Sequence, residues 1–248
     1  MADLTGIDNV GEFFSAHYLQ ERLPDELKGQ DAATVERLDA CTARLRGTSA
    51  HLFRTLADLG AATAAERATA GRDLTVRTLE ALGYARGAHY VALERGDTAN
   101  QAVPLLTELR HGDAPYLYVL DAGLPHDEEA LLEQRLDRLA PLPAEALEAG
   151  LTLAPLTLDD AVGALFASAT PPRWVVLLGG REAIAAERGR WGRGQFLRFE
   201  LETLLRRRDA GALRVTAALL GREFLAPGAG PRVTSAPVLT IWADSPTR

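Results

Sequence analysis

The spacing of apolar residues changes near residue 85, and this change limits what the chain can fold into. Before it, apolar residues recur at intervals of three, four and seven, for example at Val35, Leu38, Leu45 and Leu52. That is the period of amphipathic helices, so the first third of the chain is predicted to be helical. After it, short apolar and aromatic runs between turn residues predict strands.

The strands predicted from these runs cover 89–93, 103–109, 116–120, 173–178, 182–187 and 195–199. Gly179-Gly180 predicts a tight hairpin between its two flanking strands. Residues 126–170, 200–208 and 210–220 are expected to be helical, and Thr157 with Asp160 has the spacing of a capping box.

A short helix is also expected near the N-terminus, because Asn9 and Glu12 have capping-box spacing. The aromatic stripe that follows is interpreted as core packing, and it consists of Phe13, Phe14, His17 and Tyr18.

Composition is that of a globular protein and excludes several functional classes. The chain has 248 residues, 47% of them hydrophobic, and a net charge of −7. The acidic balance argues against a nucleic-acid coat protein, although it leaves a local basic face open. The single cysteine, Cys41, allows neither an intrachain disulfide nor a cysteine metal cluster, which fits a reducing cytoplasm. No apolar run approaches the ~20 residues of a membrane span, and the opening residues lack the pattern of a signal peptide.

Several well-known catalytic and cofactor motifs are missing. The sequence has no G-x-x-x-x-G-K-[ST] phosphate loop, no G-x-S-x-G elbow and no glycine fingerprint for a dinucleotide or S-adenosylmethionine. Its five histidines are scattered, so no metal site is predicted from them.

Acidic residues on the first predicted strands offer one weak catalytic constellation. Glu108 and Asp121 are candidate catalytic residues that could meet at one sheet edge, with Glu94 and Asp97 nearby in sequence. Nucleases of the Mg²⁺-dependent kind place an acid on one strand and an acid-x-Lys on its neighbour. Here Gly123 follows Asp121 by two positions, where a lysine would be needed. A degenerate nuclease site and an inert sheet with solvated acids both remain open.

Positive charge is concentrated in residues 181–208. Eight arginines and four glutamates give this segment a net charge of +4, which leaves −11 for the rest of the chain. Such an asymmetry is typical of a surface that contacts the DNA backbone. The candidate DNA-binding residues are Arg188, Arg190, Arg193, Arg206, Arg207 and Arg208. A solvated hairpin, with the last arginines complementing a helix dipole, explains the same charges equally well.

Two stretches of this sequence together resemble the N-terminal region of large bacterial adenine-specific DNA methyltransferases. The first is 9–19, Asn-Val-Gly-Glu-Phe-Phe-Ser-Ala-His-Tyr-Leu. The second is 172–178, Pro-Arg-Trp-Val-Val-Leu-Leu, followed by Trp191 and by 195–201, Gln-Phe-Leu-Arg-Phe-Glu-Leu. The strand 116–122 also fits. These methyltransferases belong to type IIG-like restriction–modification systems and to phage-defence systems of the DISARM kind.

The resemblance covers about residues 7–228 and implies an N-terminal module rather than a complete enzyme. The chain has no N-P-P-[YF] motif, so methylation and S-adenosylmethionine are expected only in domains further along such a protein. In type IIG relatives this region is a nuclease, and Asp121 falls where its acid should lie. Gly123 occupies the position where these relatives have a lysine, which implies weak or absent cleavage. The residues after Gly228 also depart from the family pattern.

The expected fold is α/β, with a helical N-terminal third, a small nuclease-like mixed sheet and a strand-rich block flanked by helices. The regions are 1–84, 85–170, 171–228 and an irregular tail at 229–248. The expected function is a cytoplasmic, DNA-associated module of a restriction–modification or phage-defence methyltransferase, catalytically weak or inactive alone. Its partners would be DNA and methyltransferase domains or other defence subunits, with no cofactor of its own. The alternatives are an endonuclease that requires Mg²⁺ and a non-enzymatic scaffold for partner subunits.

Overall fold

A computed structural model of the chain describes residues 3–93, 100–124, 130–139 and 141–226. Within them the fold is α/β, as predicted: a helical N-terminal region is followed by a strand-rich block, and the strands form two mixed sheets. The acidic candidates Glu94 and Asp97 and the predicted tail at 229–248 lie outside the described residues.

The helices flank the sheets and are mostly short after residue 84. A π-helical turn at Tyr18–Arg22 precedes the first of them. The α-helices are α1 (Leu23–Lys28), α2 (Ala32–Gly47), α3 (Ser49–Asp58), α4 (Ala64–Ala81), α5 (Ala144–Glu148), α6 (Leu158–Phe166), α7 (Arg188–Trp191), α8 (Leu201–Arg207), α9 (Ala210–Leu220) and α10 (Arg222–Leu225).

The larger sheet has six strands in the order β1-β9-β8-β7-β5-β4. They are β1 (Ile7–Val10), β4 (Thr107–His111), β5 (Ala114–Gly123), β7 (Trp174–Gly179), β8 (Glu182–Glu187) and β9 (Phe196–Glu200). All neighbours are antiparallel except β5 and β7, which run parallel. The connection between these two parallel strands contains α6, as a parallel crossover requires.

A smaller sheet has the order β2-β3-β6, and its strands are β2 (His89–Leu93), β3 (Gln101–Leu105) and β6 (Thr152–Leu153). The chain leaves this sheet at Leu106 and enters the larger one. At that point the N–H of Leu106 donates to the carbonyl of Val119 on β5.

Apolar residues cover both faces of the larger sheet. On one face Leu117, Val119 and Trp174 belong to a core shared with α2, α4 and α9. On the other face Leu120 and Val175 belong to a core shared with α6. The sheet is therefore buried on both sides at β5 and β7, and polar groups there must find partners within the protein.

Much of the predicted secondary structure is confirmed. The three helices between 32 and 84 form with a break at Thr48, β2 covers the predicted 89–93, and the Gly179-Gly180 hairpin joins β7 to β8. Thr157 caps α6 by accepting a hydrogen bond from the N–H of Asp160.

A short helical segment does form in the first 30 residues, at Tyr18–Arg22 and α1, but the prediction that Asn9 caps it is wrong. Asn9 lies on β1, paired with Leu197, and its side chain both donates to the carbonyl of Phe14 at 2.7 Å and accepts from the N–H of Phe14 at 2.9 Å. Its amide thus fixes the turn after β1. Phe13 and Phe14 are buried as expected of core residues, whereas His17 is exposed.

Two other predictions fail in part. The strand predicted at 103–109 divides at Leu106 between the two sheets. Of the described residues in the predicted helical stretch 126–170, only α5 and α6 are α-helical. Pro141, Pro143 and Pro155 interrupt this stretch, and a proline cannot continue a helix interior.

Three of the regions expected from the sequence contribute strands to the same sheet. The larger sheet takes β1 from region 1–84, β4 and β5 from 85–170, and β7, β8 and β9 from 171–228. Among the described residues, no helix has both the length and the apolar character that crossing a membrane requires.

Candidate functional site

Asp121 lies at the carboxyl end of β5 and is almost fully buried, with 4% of its surface exposed. Its Oδ1 accepts a hydrogen bond of 2.9 Å from the N–H of Gly123, and the Thr75 side chain of α4 lies close to the carboxyl group. The close approach of α4 depends on Gly71, where a Cβ would come within 2.8 Å of the Leu124 Cβ.

Burial raises the pKa of Asp121, and four neighbours oppose this effect. Loss of hydration disfavours the charged carboxylate. The hydrogen bond from Gly123, the nearby Thr75 hydroxyl and the positive charges of Arg72 and Arg86 all lower the pKa, but the effect of burial is larger. A carboxyl group with such a pKa, in a cleft, is a candidate functional group.

Arg72 and Arg86 lie with Asp121 along a cleft of about 450 Å³. Arg72 Nη2 donates to the carbonyl of Leu139 at 2.8 Å, while its Nε is buried without a hydrogen-bond partner. Arg86 is exposed. The apolar walls of the cleft are formed by Ala88, Pro104, Leu105, Leu106, Pro141, Leu142 and Pro143. We call this site the Asp121 cleft.

Glu108 does not join Asp121, so the prediction that these two acids meet is wrong. Glu108 pairs with Tyr118 across β4 and β5, which places it on the same face as Tyr118. Asp121 is three residues beyond Tyr118 and therefore lies on the opposite face, because side chains alternate along a strand. Glu108 instead forms an ion pair of 2.6 Å with Arg110. No cluster of three or more potential ligands for a metal ion occurs in the described parts of the chain.

The candidate DNA-binding arginines fall into two groups at opposite ends of β9. One group lies before the first residue of β9 and consists of Arg188, Arg190 and Arg193. The other group lies after the last residue of β9 and consists of Arg206, Arg207 and Arg208. Five residues of strand span about 15 Å. The six arginines therefore do not form one continuous patch.

One arginine of the first group, Arg190, shares a carboxylate with Arg173. Arg190 Nε lies 3.1 Å from Glu187 Oε2, and Arg173 Nη2 lies 3.4 Å from Glu187 Oε1. Arg188 and Arg193 are exposed, and neither forms an ion pair among the described residues. We call Arg173, Arg188, Arg190 and Arg193 the α7 arginine cluster.

Arg190 also has a structural role within this cluster. Its guanidinium donates to the carbonyl of Phe13 and lies 4.6 Å from the centroid of the Phe13 ring. Trp191, the aromatic residue amid the arginines, packs on Phe196 with ring centroids 5.6 Å apart. Part of the Trp191 ring is therefore already in contact with the protein.

The second group is largely neutralised. Arg206 forms an ion pair of 2.5 Å with Glu202 and lies over the Phe53 ring, and Arg207 pairs with Asp3. Arg208 is exposed and ends α8 in the left-handed conformation. This end of α8 fits the interpretation that its arginines stabilise the helix terminus.

No motif in the sequence marks Arg72, Arg86 or Arg173 as a site residue. Arg72 and Thr75 are three positions apart on a helix and share a face, but nothing in the sequence indicates that this face meets the end of β5. Arg173 is the first residue of a predicted strand and Glu187 is the last residue of the next one. Hairpin register pairs Glu187 with Trp174, so register alone does not indicate the ion pair between Arg173 and Glu187.

In comparisons with known proteins, no family model, curated protein or solved structure matches this chain.

Proposed function

We propose that the chain is a DNA-associated N-terminal module of a bacterial adenine-specific DNA methyltransferase, of the restriction–modification or phage-defence kind. In this proposal the module contacts the DNA backbone and neither methylates nor cleaves DNA by itself. It acts in the cytoplasm beside methyltransferase domains or other defence subunits.

The observation that best supports this proposal is the way the resembling stretches come together. β1 begins the first stretch and β9 lies in the second, and they pair directly through Asn9 with Leu197 and Val10 with Phe196. Phe13 also packs on Trp174, with ring centroids 6.1 Å apart. The residues that suggest the family therefore form one structural unit, although they come from opposite ends of the chain.

Charge placement favours the α7 arginine cluster as the DNA contact. In this cluster Arg173 and Arg190 share the carboxylate of Glu187, whereas Arg188 and Arg193 are exposed and form no ion pair among the described residues. Exposed guanidinium groups bind phosphates through paired hydrogen bonds. Because phosphate contacts carry no base information, this surface would bind DNA with little sequence preference.

The Asp121 cleft favours an inactive module over an Mg²⁺-dependent nuclease. A catalytic Mg²⁺ site uses carboxylate oxygens, yet Asp121 is the one carboxylate among the described residues that line the cleft. Arg72 and Arg86 would repel a cation there. Chemistry on DNA would then depend on the domains that bind S-adenosylmethionine.

Binding to labelled duplex DNA, measured by fluorescence anisotropy at several salt concentrations, tests the proposal. We expect the logarithm of the binding constant to fall linearly as the logarithm of salt concentration rises. Calorimetry with S-adenosylmethionine should show no binding. Salt-independent or undetectable DNA binding would contradict the proposal and favour the scaffold alternative, and stoichiometric S-adenosylmethionine binding would contradict the assignment of methylation to other domains.

A further inference from the structure

We infer that the Asp121 cleft binds a terminal phosphate group, held by Arg72 and Arg86 and hydrogen-bonded to Asp121. The cleft lies at the carboxyl end of β5, whereas the α7 arginine cluster adjoins the other end, where Leu117 of β5 pairs with Trp174 and Trp174 with Glu187. The two sites are thus separate, and this inference does not depend on the proposed DNA contact.

The two arginines of the cleft have guanidinium donors that no described residue accepts. A guanidinium group has five N–H donors. In the described parts of the chain, the side-chain hydrogen bonding of Arg72 uses only its Nη2, which donates to the carbonyl of Leu139. Arg86 has no hydrogen bond or ion pair within the described residues, although its charge acts on Asp121. An anion with several oxygens would satisfy these donors.

Charge selects an anion over a cation. With Asp121 ionised, two guanidinium groups and one carboxylate give the described residues of the cleft a net positive charge. Guanidinium forks match the geometry of phosphate oxygens. The apolar wall formed by Pro104, Leu105 and Leu142 can contact the uncharged remainder of a ligand.

Asp121 selects a terminal phosphate over a phosphodiester or a sulfate. A phosphate monoester has a second pKa near 6. At neutral pH the monoester therefore readily takes up a proton, which it can share with a carboxylate. A phosphodiester and a sulfate have no such proton near neutral pH. The shared chemistry is therefore a phosphomonoester, supplied either by a 5′-mononucleotide or by the 5′-phosphorylated end of a DNA strand.

Calorimetric titration with inorganic phosphate at pH 7, with sulfate at matched ionic strength, tests this site. We expect phosphate to bind more tightly than sulfate. Arg86→Ala should weaken phosphate binding about tenfold or more, because a hydrogen bond to a charged group is lost. Arg54→Ala removes an exposed arginine of α3 and should change nothing. Thermal melts without ligand should show that both variants fold as the wild type does.

Asp121→Asn should bring phosphate binding close to sulfate binding, because an amide cannot accept the shared proton in the same way. Equal binding of phosphate and sulfate by the wild type, or unchanged phosphate binding by Arg86→Ala, would overturn the inference.

Titrations with a 5′-mononucleotide and with a 5′-phosphorylated oligonucleotide then distinguish the two sources of the phosphate. The ligand that binds more tightly is the one for which the cleft is built. If neither binds more tightly than its form without the phosphate, the inference fails. Duplex binding through the α7 arginine cluster should persist in Arg86→Ala, so failure of one proposal is distinguishable from failure of the other.

Discussion

The Asp121 carboxylate accepts a hydrogen bond of 2.9 Å from the N–H of Gly123, two residues further along the chain. Gly123 has a positive φ of 63°, a conformation that glycine adopts at low cost. The backbone thus turns at this residue, and its amide faces the carboxylate. A side chain at position 123 could not keep this arrangement without strain, since a Cβ there would come within 2.6 Å of the Leu139 side chain.

Replacing Asp121 by Asn should stabilise the protein at neutral pH. Burial raises the pKa of Asp121 in the folded state, whereas in the unfolded state it is about 4. Between these two pKa values the folded state binds more protons than the unfolded state. The wild type therefore loses stability as the pH rises from about 4 through the pKa of the folded state. The Asn variant should melt at a higher temperature at pH 7, by roughly 2–4 °C per kcal/mol regained. The difference should shrink as pH falls toward 4, and a variant that melts lower at pH 7 would refute this.

The chain should not cleave DNA with Mg²⁺ or Mn²⁺. Glu108 and Asp121 face opposite sides of the sheet, and the described residues of the cleft offer a single carboxylate. Incubation of purified protein with supercoiled plasmid and either metal should leave the plasmid intact. The prediction is wrong if the plasmid is cut efficiently and Asp121→Ala abolishes the cutting.

Gly71→Ala should destabilise the protein. A Cβ at position 71 would come within 2.8 Å of the Leu124 Cβ and 3.0 Å of its backbone nitrogen, so α4 would have to move away from the end of β5. We expect a loss of about 1–3 kcal/mol in the free energy of unfolding, measured by urea titration. Gly163→Ala in α6 is the matched control. Its Cβ meets nothing within 4 Å, so it should gain about 0.5–1 kcal/mol. Equal effects of the two substitutions would contradict the packing described for α4.

Arg190→Ala should lower stability, whereas Arg188→Ala should not. Arg190 joins α7 to the turn after β1 through the carbonyl and ring of Phe13, and it also pairs with Glu187. Its loss should cost about 1.5–3 kcal/mol of unfolding free energy. Arg188 is exposed, and the one hydrogen bond of its side chain to a described residue, the carbonyl of Pro171, is 3.5 Å long. Its replacement should stay within about 0.5 kcal/mol. Matching denaturation curves for the two variants would argue against a structural role for Arg190.

Local pattern was enough to predict the helices of the first third and the hairpin of β7 and β8, because apolar period and glycine turns are local signals. It failed at Asn9, whose spacing to Glu12 fits a helix cap although the residue pairs with β9 across the chain. Asp121 could be singled out from its place at a strand end. Arg72 and Arg86 could not, since their approach to Asp121 follows from the packing of α4 and from the loop before β2. Tertiary contacts between distant segments decided each of these cases.

The salt dependence of duplex DNA binding by Arg188→Ala/Arg193→Ala tests the proposed function most directly. Each lost phosphate contact should reduce the slope of log binding constant against log salt by about 0.9, so the double variant should bind more weakly, with a slope flatter by up to about 1.8. The control, Arg206→Ala/Arg207→Ala, removes guanidinium groups already paired with Glu202 and Asp3 and should keep the wild-type slope. Wild-type affinity and slope in Arg188→Ala/Arg193→Ala would contradict DNA contact through the α7 arginine cluster.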